Sequence, residues 1–488
     1  MCFLSKKVLK VLVLLMSIAT LFHFESVSRV SIADLYPKKN IIFEDQNGNV
    51  LRWIPDESGE RHSWTSLKNI PEIVQKAFVS AEDHRFYSHP GIDVLAIVRA
   101  IKSNLTEGRI VSGASTLTQQ LSRLSYPRKR TYYDKLVEVV RSLRIEWMLD
   151  KDKILEFYLN SVPLGNNLLG VKAGSKVYFG KTLSRLTNTE AALLASLPKA
   201  PGTLNPYGKN IHSLIERKSW VLEQMFKYGY ISSSEMETGL QTIPLIKPKS
   251  FPFKAPHFID HVLTVSKKSN QSTTLDLKLQ SRVEKILKAH QFRLKRKSAS
   301  QASVVILENT NSEILSLVGS IEYSTRHLGF NNGANALRSP GSTLKPFLFA
   351  QALDSGLDTA TVLEDIERKY VSPQGAYRPV NFNKKSYGPV SMRNALGNSL
   401  NQTAVSLLNS IGYSPFYKIL QSLDLINFPE RGPEHYGLGM VIGNPEVTLV
   451  QLAAAYATIA RGGVFTPAKY FVNTVRSKME RIYSEEAS

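Results

Sequence analysis

A proline-rich stretch, PLIKPKSFPFKAPH at residues 244–257, divides the chain into two parts with different hydrophobic patterns. Proline lacks the backbone N–H that helices and sheets use, so this stretch predicts an extended linker. From Pro71 to about Tyr230, apolar residues recur with the spacing of helices. Within segment 134–149, one face of the predicted helix collects Leu136, Val139, Val140, Leu143 and Trp147.

The pattern beyond the linker is mixed. SVVILENTNSEILSLVGS at 303–320 predicts two strands around a polar turn, and helical stretches follow near 343–354, 391–410 and 447–461. The lead-in IIFEDQNGNVLRWI predicts another strand pair with a turn at Asn47–Gly48. We therefore predict a multidomain chain, with a mostly α lobe followed by an α/β domain.

The N-terminus predicts membrane targeting. Three lysines, at positions 6, 7 and 10, accompany an apolar run that extends from Val8 to Phe24. This run is short for a spanning helix, which needs about 20 residues, and it also suits a cleaved signal peptide with a weak site at SIA, 31–33. We expect an uncleaved signal anchor within residues 1–30, a cytoplasmic tail, and all later residues outside the cytoplasm.

The charge balance predicts an anionic partner. The 488 residues include 61 Lys or Arg and 41 Asp or Glu, and 61 − 41 gives +20. Nucleic acid, lipid headgroups and phosphorylated substrates would all fit this charge, but an exported chain does not meet nucleic acid. Cys2 is the sole cysteine, which excludes an intrachain disulfide and a cysteine-based metal site.

Several segments of the helical part are rich in polar residues. SAEDHRFYSHPGID (80–93) fits either a solvated loop or an acid held by supporting side chains. SGASTLTQQLSR (112–123) fits an ordinary capped helix or a helix N-terminus that binds phosphate. In DKLVEVVRSLRIEW (134–147), Lys135 and Glu138 are spaced as an exposed ion pair.

Taken together, these segments resemble a known family. EDHRFYSHPGID, GASTLTQQL, KLVEVVRSLRIEW, ILEFYLN and EAALLASLPKAPGTLNP occur in the order and spacing of the glycosyltransferase domain of class A penicillin-binding proteins, across residues 40–230. The resemblance implies a lysozyme-like fold. It also implies polymerisation of lipid II into a growing β-1,4 glycan strand, with inversion, on the outer side of the bacterial inner membrane.

The resemblance also implies roles for residues. Glu82 would be the general base, with His89 and Asp93 as the shell that orients the motif and Phe86 packing beneath. Cations and hydrogen-bond donors would stabilise the departing lipid diphosphate: Arg123, Lys135, Ser115, Thr116 and Gln120. Glu138 would either help hold a divalent cation, Mg²⁺ or Mn²⁺, or order Lys135; no organic cofactor is implied. Three positions depart from the usual pattern of the family: Arg123 replaces lysine, Leu124 replaces asparagine and Ala114 replaces glycine.

Residues 271–488, after a linker at 231–270, resemble the serine β-lactamase-like transpeptidase domain of the same family. GSTLKPF contains Ser342 and Lys345, which an S-x-x-K helix places on one face, so that the amine can reach the hydroxyl. NSLNQTA supplies the S-x-N pair, Ser399 and Asn401. The resemblance implies that Ser342 is a nucleophile.

No K-T/S-G sequence follows Asn401, although the family carries one on a strand of the active site. We therefore expect an incomplete, less stable transpeptidase domain in which Ser342 acylates poorly. Three alternatives stay open: an intact bifunctional synthase, a lysozyme-like hydrolase, and a non-catalytic protein that binds other cell-wall synthesis proteins.

Overall fold

The computed structural model describes residues 23–38, 40–107, 114–129, 131–208, 210–266, 271–325, 328–372, 375–473 and 479–488. Residues 23–28 are helical. The helices with defined bounds within these ranges include α1 Glu72–Glu82, α2 Val94–Glu107, α3 Leu117–Ser125, α4 Tyr132–Met148, α5 Lys151–Ser161, α6 Val171–Gly174, α7 Asn188–Ser196, α8 Ile211–Lys227, α9 Ser233–Gln241, α10 Pro256–Val265, α11 Leu277–Lys295, α12 Lys345–Asp354, α13 Met392–Gly397, α14 Asn401–Ile411, α15 Tyr413–Ser422, α16 Gly432–Tyr436 and α17 Leu449–Ala460.

The strands are short and belong to several small sheets. They are β1 Ile41–Glu44, β2 Val50–Ile54, β3 Arg61–His62, β4 Leu168–Leu169, β5 Gln271–Ser272, β6 Val304–Leu307, β7 Ile314–Val318, β8 Val362–Asp365, β9 Tyr370–Ser372, β10 Gly375–Tyr377, β11 Gly388–Ser391, β12 Val464–Phe465 and β13 Glu480–Arg481.

The described residues within 1–41 and 53–251 form one unit, and those within 42–52 and 252–488 form a second. Residues 42–52 belong to the second unit, although the sequence pattern places them at the start of the first domain. The reason is a sheet of order β2-β1-β5, in which β1 pairs in parallel with β5. The predicted turn between β1 and β2 is confirmed.

The first unit is helical and is built around α7. The Thr187 side chain caps α7 by accepting from the backbone N–H of Glu190. The Glu190 carboxylate in turn accepts from the backbone N–H of Thr187. Residues 189–196 of α7 are all buried, so this helix has no solvent face. The helices α1 and α8 pack on it and contribute Phe78 and Leu222 to the core.

The predicted helix over 134–149 is confirmed as α4, but its apolar stripe is not the buried face. Val137 and Ile145 point into the core, whereas Trp147 is 89% exposed and Leu136 and Leu143 are exposed. Exposed apolar side chains also line α2, at positions 94, 95, 98 and 105. The first unit therefore displays apolar surface that its own core does not cover.

The second unit has the predicted mixed α/β character. The predicted hairpin is formed by β6 and β7, which pair in antiparallel register with Val305 opposite Leu317. The helix α11 packs on β7, and α17 packs on β6. A separate apolar core surrounds α12 and α14 and includes Phe347, Leu408 and Phe416.

The predicted membrane segment, residues 8–24, lies outside the described residues except for its last two. Among the helices that the structure describes, none is long and apolar enough to cross a bilayer.

Candidate active sites

Glu82 is the last residue of α1 and is half-buried. Its Oε2 accepts a hydrogen bond of 2.7 Å from Nε2 of Gln120, and the other amide atom of Gln120 accepts from the fully buried Tyr158 hydroxyl at 3.2 Å. The second oxygen, Oε1, is enclosed and has no hydrogen-bond partner within the described ranges. Glu82 therefore has one oxygen held by Gln120 and one oxygen that makes no hydrogen bond to the described residues.

Burial raises the pKa of Glu82, because a charged carboxylate loses hydration there. The Gln120 hydrogen bond and the positive charges of Arg217, Lys199 and Arg123 act in the opposite direction. A carboxylate with a raised pKa and a free oxygen has the chemistry of a general base.

Asp83 organises the segment that follows Glu82. Nε2 of His89 lies 3.0 and 3.1 Å from its two oxygens, and the backbone N–H of Leu117 donates to it at 3.0 Å. This carboxylate therefore joins the end of α1 to the start of α3. The family resemblance implies a role for His89 in this segment, whereas it gives none to Asp83.

Asp93 forms the second support. It accepts from Nε of Arg85 at 3.0 Å and from the backbone N–H of Ala96 at 2.7 Å, at the start of α2. Ligand atoms of Asp83, His89 and Asp93 lie within 4.8 Å of one another. Both carboxylates are already bonded to donors, however, so the cluster serves as an internal support of the loop.

Two predicted site residues face the protein interior. Phe86 is buried, with the Lys151 ammonium 4.5 Å from its ring centroid. Thr116 is also buried, caps α3 through Gln119, and donates its hydroxyl proton to the Gly91 carbonyl at 2.6 Å. This geometry differs from the predicted phosphate contact of Thr116, because its hydroxyl proton is already used within the protein.

A cavity of about 820 Å³ holds the remaining predicted residues of this unit. Glu138 pairs through Oε1 with Lys135, and its Oε2 lies 3.7 Å from Arg123. Lys135 also donates to Ser115 Oγ at 3.2 Å. The carboxylate of Glu138 thus contacts Lys135 directly and lies near Arg123, which fits the ordering of Lys135; that Glu138 helps hold Mg²⁺ or Mn²⁺ stays a prediction.

The same cavity contains cations that the sequence analysis missed: Arg128, Lys129 and Arg141. Arg141 is buried, lies 4.2 Å from the Tyr126 ring centroid, and has an unpartnered Nε. An open, cation-rich cavity of this kind suits an anionic group such as a diphosphate.

The second unit brings together Lys345, Ser399 and Asn401. Lys345 is 1% exposed. Its Nζ donates to the Ser399 carbonyl at 2.6 Å, to Ser399 Oγ at 3.1 Å and to Asn401 Oδ1 at 2.7 Å. Burial lowers the pKa of Lys345 to about 8. Ser342 lies one turn earlier, is exposed, and belongs to the 3₁₀ turn Gly341–Leu344.

Comparison with known proteins agrees with this arrangement. The family model described as Transglycosylase matches residues 47–226, and the one described as Penicillin binding protein transpeptidase domain matches residues 302–486. Penicillin-binding protein 1C of Escherichia coli (strain K12) is 34% identical over 420 residues, which are 86% of this chain and 54% of that protein.

Penicillin-binding protein 1A of Aquifex aeolicus (strain VF5) is 31% identical over an alignment of 499 positions, gaps included, which covers 83% of this chain and 67% of that protein. A crystal structure of penicillin-binding protein 1A from Haemophilus influenzae aligns with 92% of this chain and 71% of that chain, at 20% identity and a TM-score of 0.49.

The fold and the two sites define a protein in which a transglycosylase domain is followed by a penicillin-binding transpeptidase domain. The chain belongs to the class A penicillin-binding proteins. It spans about half the length of the Escherichia coli relative, 54%.

Proposed function

We propose that the first unit polymerises lipid II into β-1,4 glycan strands, with Glu82 as general base. The observation that carries this proposal is the pairing of Glu82, which has a free enclosed oxygen, with the cation-lined cavity. Arg123 connects the two features, since it lines the cavity and its charge acts on Glu82.

The reaction is one inverting substitution. Glu82 Oε1 takes the proton of the acceptor hydroxyl as the oxygen bonds to the anomeric carbon of the donor. The bond from that carbon to the diphosphate oxygen breaks, and the lipid diphosphate leaves with the electron pair. Arg123 and Lys135 stabilise its charge, and Ser115 and Gln120 supply hydrogen-bond donors.

The substrate requires a membrane, and the exposed apolar side chains of α2 and α4 would suit contact with lipid. We propose the outer face of the bacterial inner membrane as the location, with residues 1–30 as a single-pass anchor. The net charge of +20 fits a surface of anionic lipid.

Incubation of the protein with labelled lipid II in detergent or vesicles tests this proposal. Long glycan polymer is the expected product. Short fragments from preformed glycan would indicate a lysozyme-like hydrolase. Folded protein that binds lipid II without forming a product would indicate a non-catalytic binding protein.

A second function, acyl transfer at Ser342, is favoured by the buried Lys345 amine and its contacts with Ser399 and Asn401. Ser342 Oγ would attack the substrate carbonyl while a neutral Lys345 accepts its proton. The C–N bond of the amide would then break, the amine nitrogen would take up that proton as it leaves, and the acyl group would stay on Ser342. Covalent labelling of Ser342 by a fluorescent penicillin tests this function. That the lack of a K-T/S-G sequence weakens acylation stays a prediction.

A further inference from the structure

Asp365 is a fully buried acid in the second unit, and the mechanism described so far does not use it. It ends β8, and its carboxylate accepts from Nδ2 of Asn381 at 3.1 and 2.8 Å, from Thr403 Oγ1 at 3.0 Å and from the backbone N–H of Tyr387 at 3.0 Å. An ionised carboxylate only accepts hydrogen bonds. Asp365, together with the Lys385 carbonyl that accepts from the same Nδ2 at 2.9 Å, therefore sets which end of the Asn381 side chain faces these acceptors.

Asn381 is also buried, and its orientation has a consequence. Because Nδ2 points to Asp365, Oδ1 points to the start of α14. There it accepts from the backbone N–H of Asn401 at 2.7 Å and of Gln402 at 3.2 Å. The first N–H groups of a helix have no partner within the helix. Leu400, at the N-cap position of α14, has no side chain that could supply one.

The helix that Asn381 caps carries Asn401, whose Oδ1 accepts from Lys345 Nζ at 2.7 Å. The other amide atom of Asn401, Nδ2, donates to the Val380 carbonyl, next to Asn381 in the chain, at 2.9 Å. Just before the helix, Ser399 has a φ of 54°, which is unusual for a residue other than glycine. Surrounding contacts must hold this segment in place.

We propose that Asp365 and Asn381 are positioning residues for acyl transfer in the second unit. Asp365 orients the Asn381 amide, Asn381 caps α14, and the cap fixes where Asn401 and Ser399 meet the Lys345 amine. This inference rests on the proposed acylation of Ser342. It assigns a role to two residues outside the S-x-x-K and S-x-N pairs.

A reciprocal exchange tests the proposal in the full chain. Asn381→Asp sets two carboxylates against each other, and Asp365→Asn sets an amide N–H₂ against donors. The double variant Asp365→Asn with Asn381→Asp again offers a donor at one position and an acceptor at the other, and an aspartate can cap α14. Asp358→Asn, an exposed position shortly before β8, makes the same chemical change outside the network.

Two readouts are measured for each protein. The first is the rate at which fluorescent penicillin labels Ser342. We expect each single variant to label about 10- to 100-fold more slowly, in line with the cost of small displacements in an active site. The double variant should label faster than either single variant but more slowly than the wild type, because the donor to the Lys385 carbonyl stays lost, and Asp358→Asn should match the wild type.

The second readout is hydrogen exchange at the amides of Asn401 and Gln402. Both should exchange faster in the single variants and recover protection in the double variant. Single variants that label and exchange like the wild type, or a folded double variant as slow as the single variants, would overturn the proposal. A wild type that is not labelled would contradict acylation itself, and the exchange measurement alone would then decide whether Asp365 and Asn381 hold the helix.

Discussion

Nε2 of Gln120 donates to Oε2 of Glu82 across 2.7 Å, while the buried Tyr158 hydroxyl fixes the other end of the same amide. This bond favours the ionised form of Glu82, and burial opposes it by raising the pKa. The balance of the two effects decides at which pH Glu82 can accept a proton.

Gln120→Leu should therefore raise the pKa of Glu82 further, because burial then acts without the opposing hydrogen bond. A general base works only when it is ionised. In a plot of polymerisation rate against pH, the limb on the acidic side should therefore move to higher pH. At a pH within that limb, the rate should fall about tenfold, the cost of a hydrogen bond to a charged group. Rates of lipid II polymerisation across pH check this, and an unchanged limb would contradict the account.

The chain order of the motifs could predict that Glu82 and Gln120 lie together, because that order is characteristic of the family. It could not predict that Asp83 organises this segment, since the direction of a carboxylate at the end of a helix depends on its tertiary partners. Arg217 was missed for a similar reason. Arg217 lies on α8, which is distant from Glu82 in sequence. Only tertiary packing brings the guanidinium close enough to interact electrostatically with Glu82.

The hydrophobic pattern of α4 likewise predicted a helix but not its buried side. Periodicity shows that apolar residues share a face, and it does not show what covers that face. In the structure, the core receives Val137 and Ile145, whereas Trp147 faces outward. The grouping of residues 42–52 with the second unit depends on a pairing with β5, which local sequence does not encode.

Lys135→Met should lower the turnover of lipid II about 10²- to 10³-fold, the usual cost of removing one group that stabilises the developing charge. It should also leave Glu138 with a weaker partner, because Arg123 is 3.7 Å away. The control is Arg123→Lys, which keeps the positive charge and should retain most activity. Equal losses in the two variants would argue against distinct roles for these cations.

Acylation of Ser342 should speed up as pH rises through about 8, where burial places the pKa of Lys345. The lysine accepts the serine proton only when neutral, and the neutral fraction grows above its pKa. The measurement is the rate of penicillin labelling between pH 6 and pH 10, with Lys345→Ala as the control. A rate that is flat across this range would contradict the assignment of Lys345 as the base.

Trp147 should contact lipid when the full chain is reconstituted, because its ring is almost fully exposed beside other apolar residues of α4. In vesicles that contain brominated phospholipid, tryptophan fluorescence should be quenched, and Trp147→Phe should remove most of the quenched fraction. Trp220→Phe is the matched control, since that ring packs against Arg217 within the protein. Quenching that survives Trp147→Phe would place this face away from lipid.

The most direct test of the account compares the wild type with Glu82→Gln on labelled lipid II, after circular dichroism shows that both are folded. Glutamine keeps the size of the side chain and can still accept from Gln120, but it cannot take a proton. We predict polymer from the wild type and a rate lower by about 10²- to 10⁴-fold from the variant, the contribution of a general base. Equal polymerisation by the two proteins would contradict the central role of Glu82.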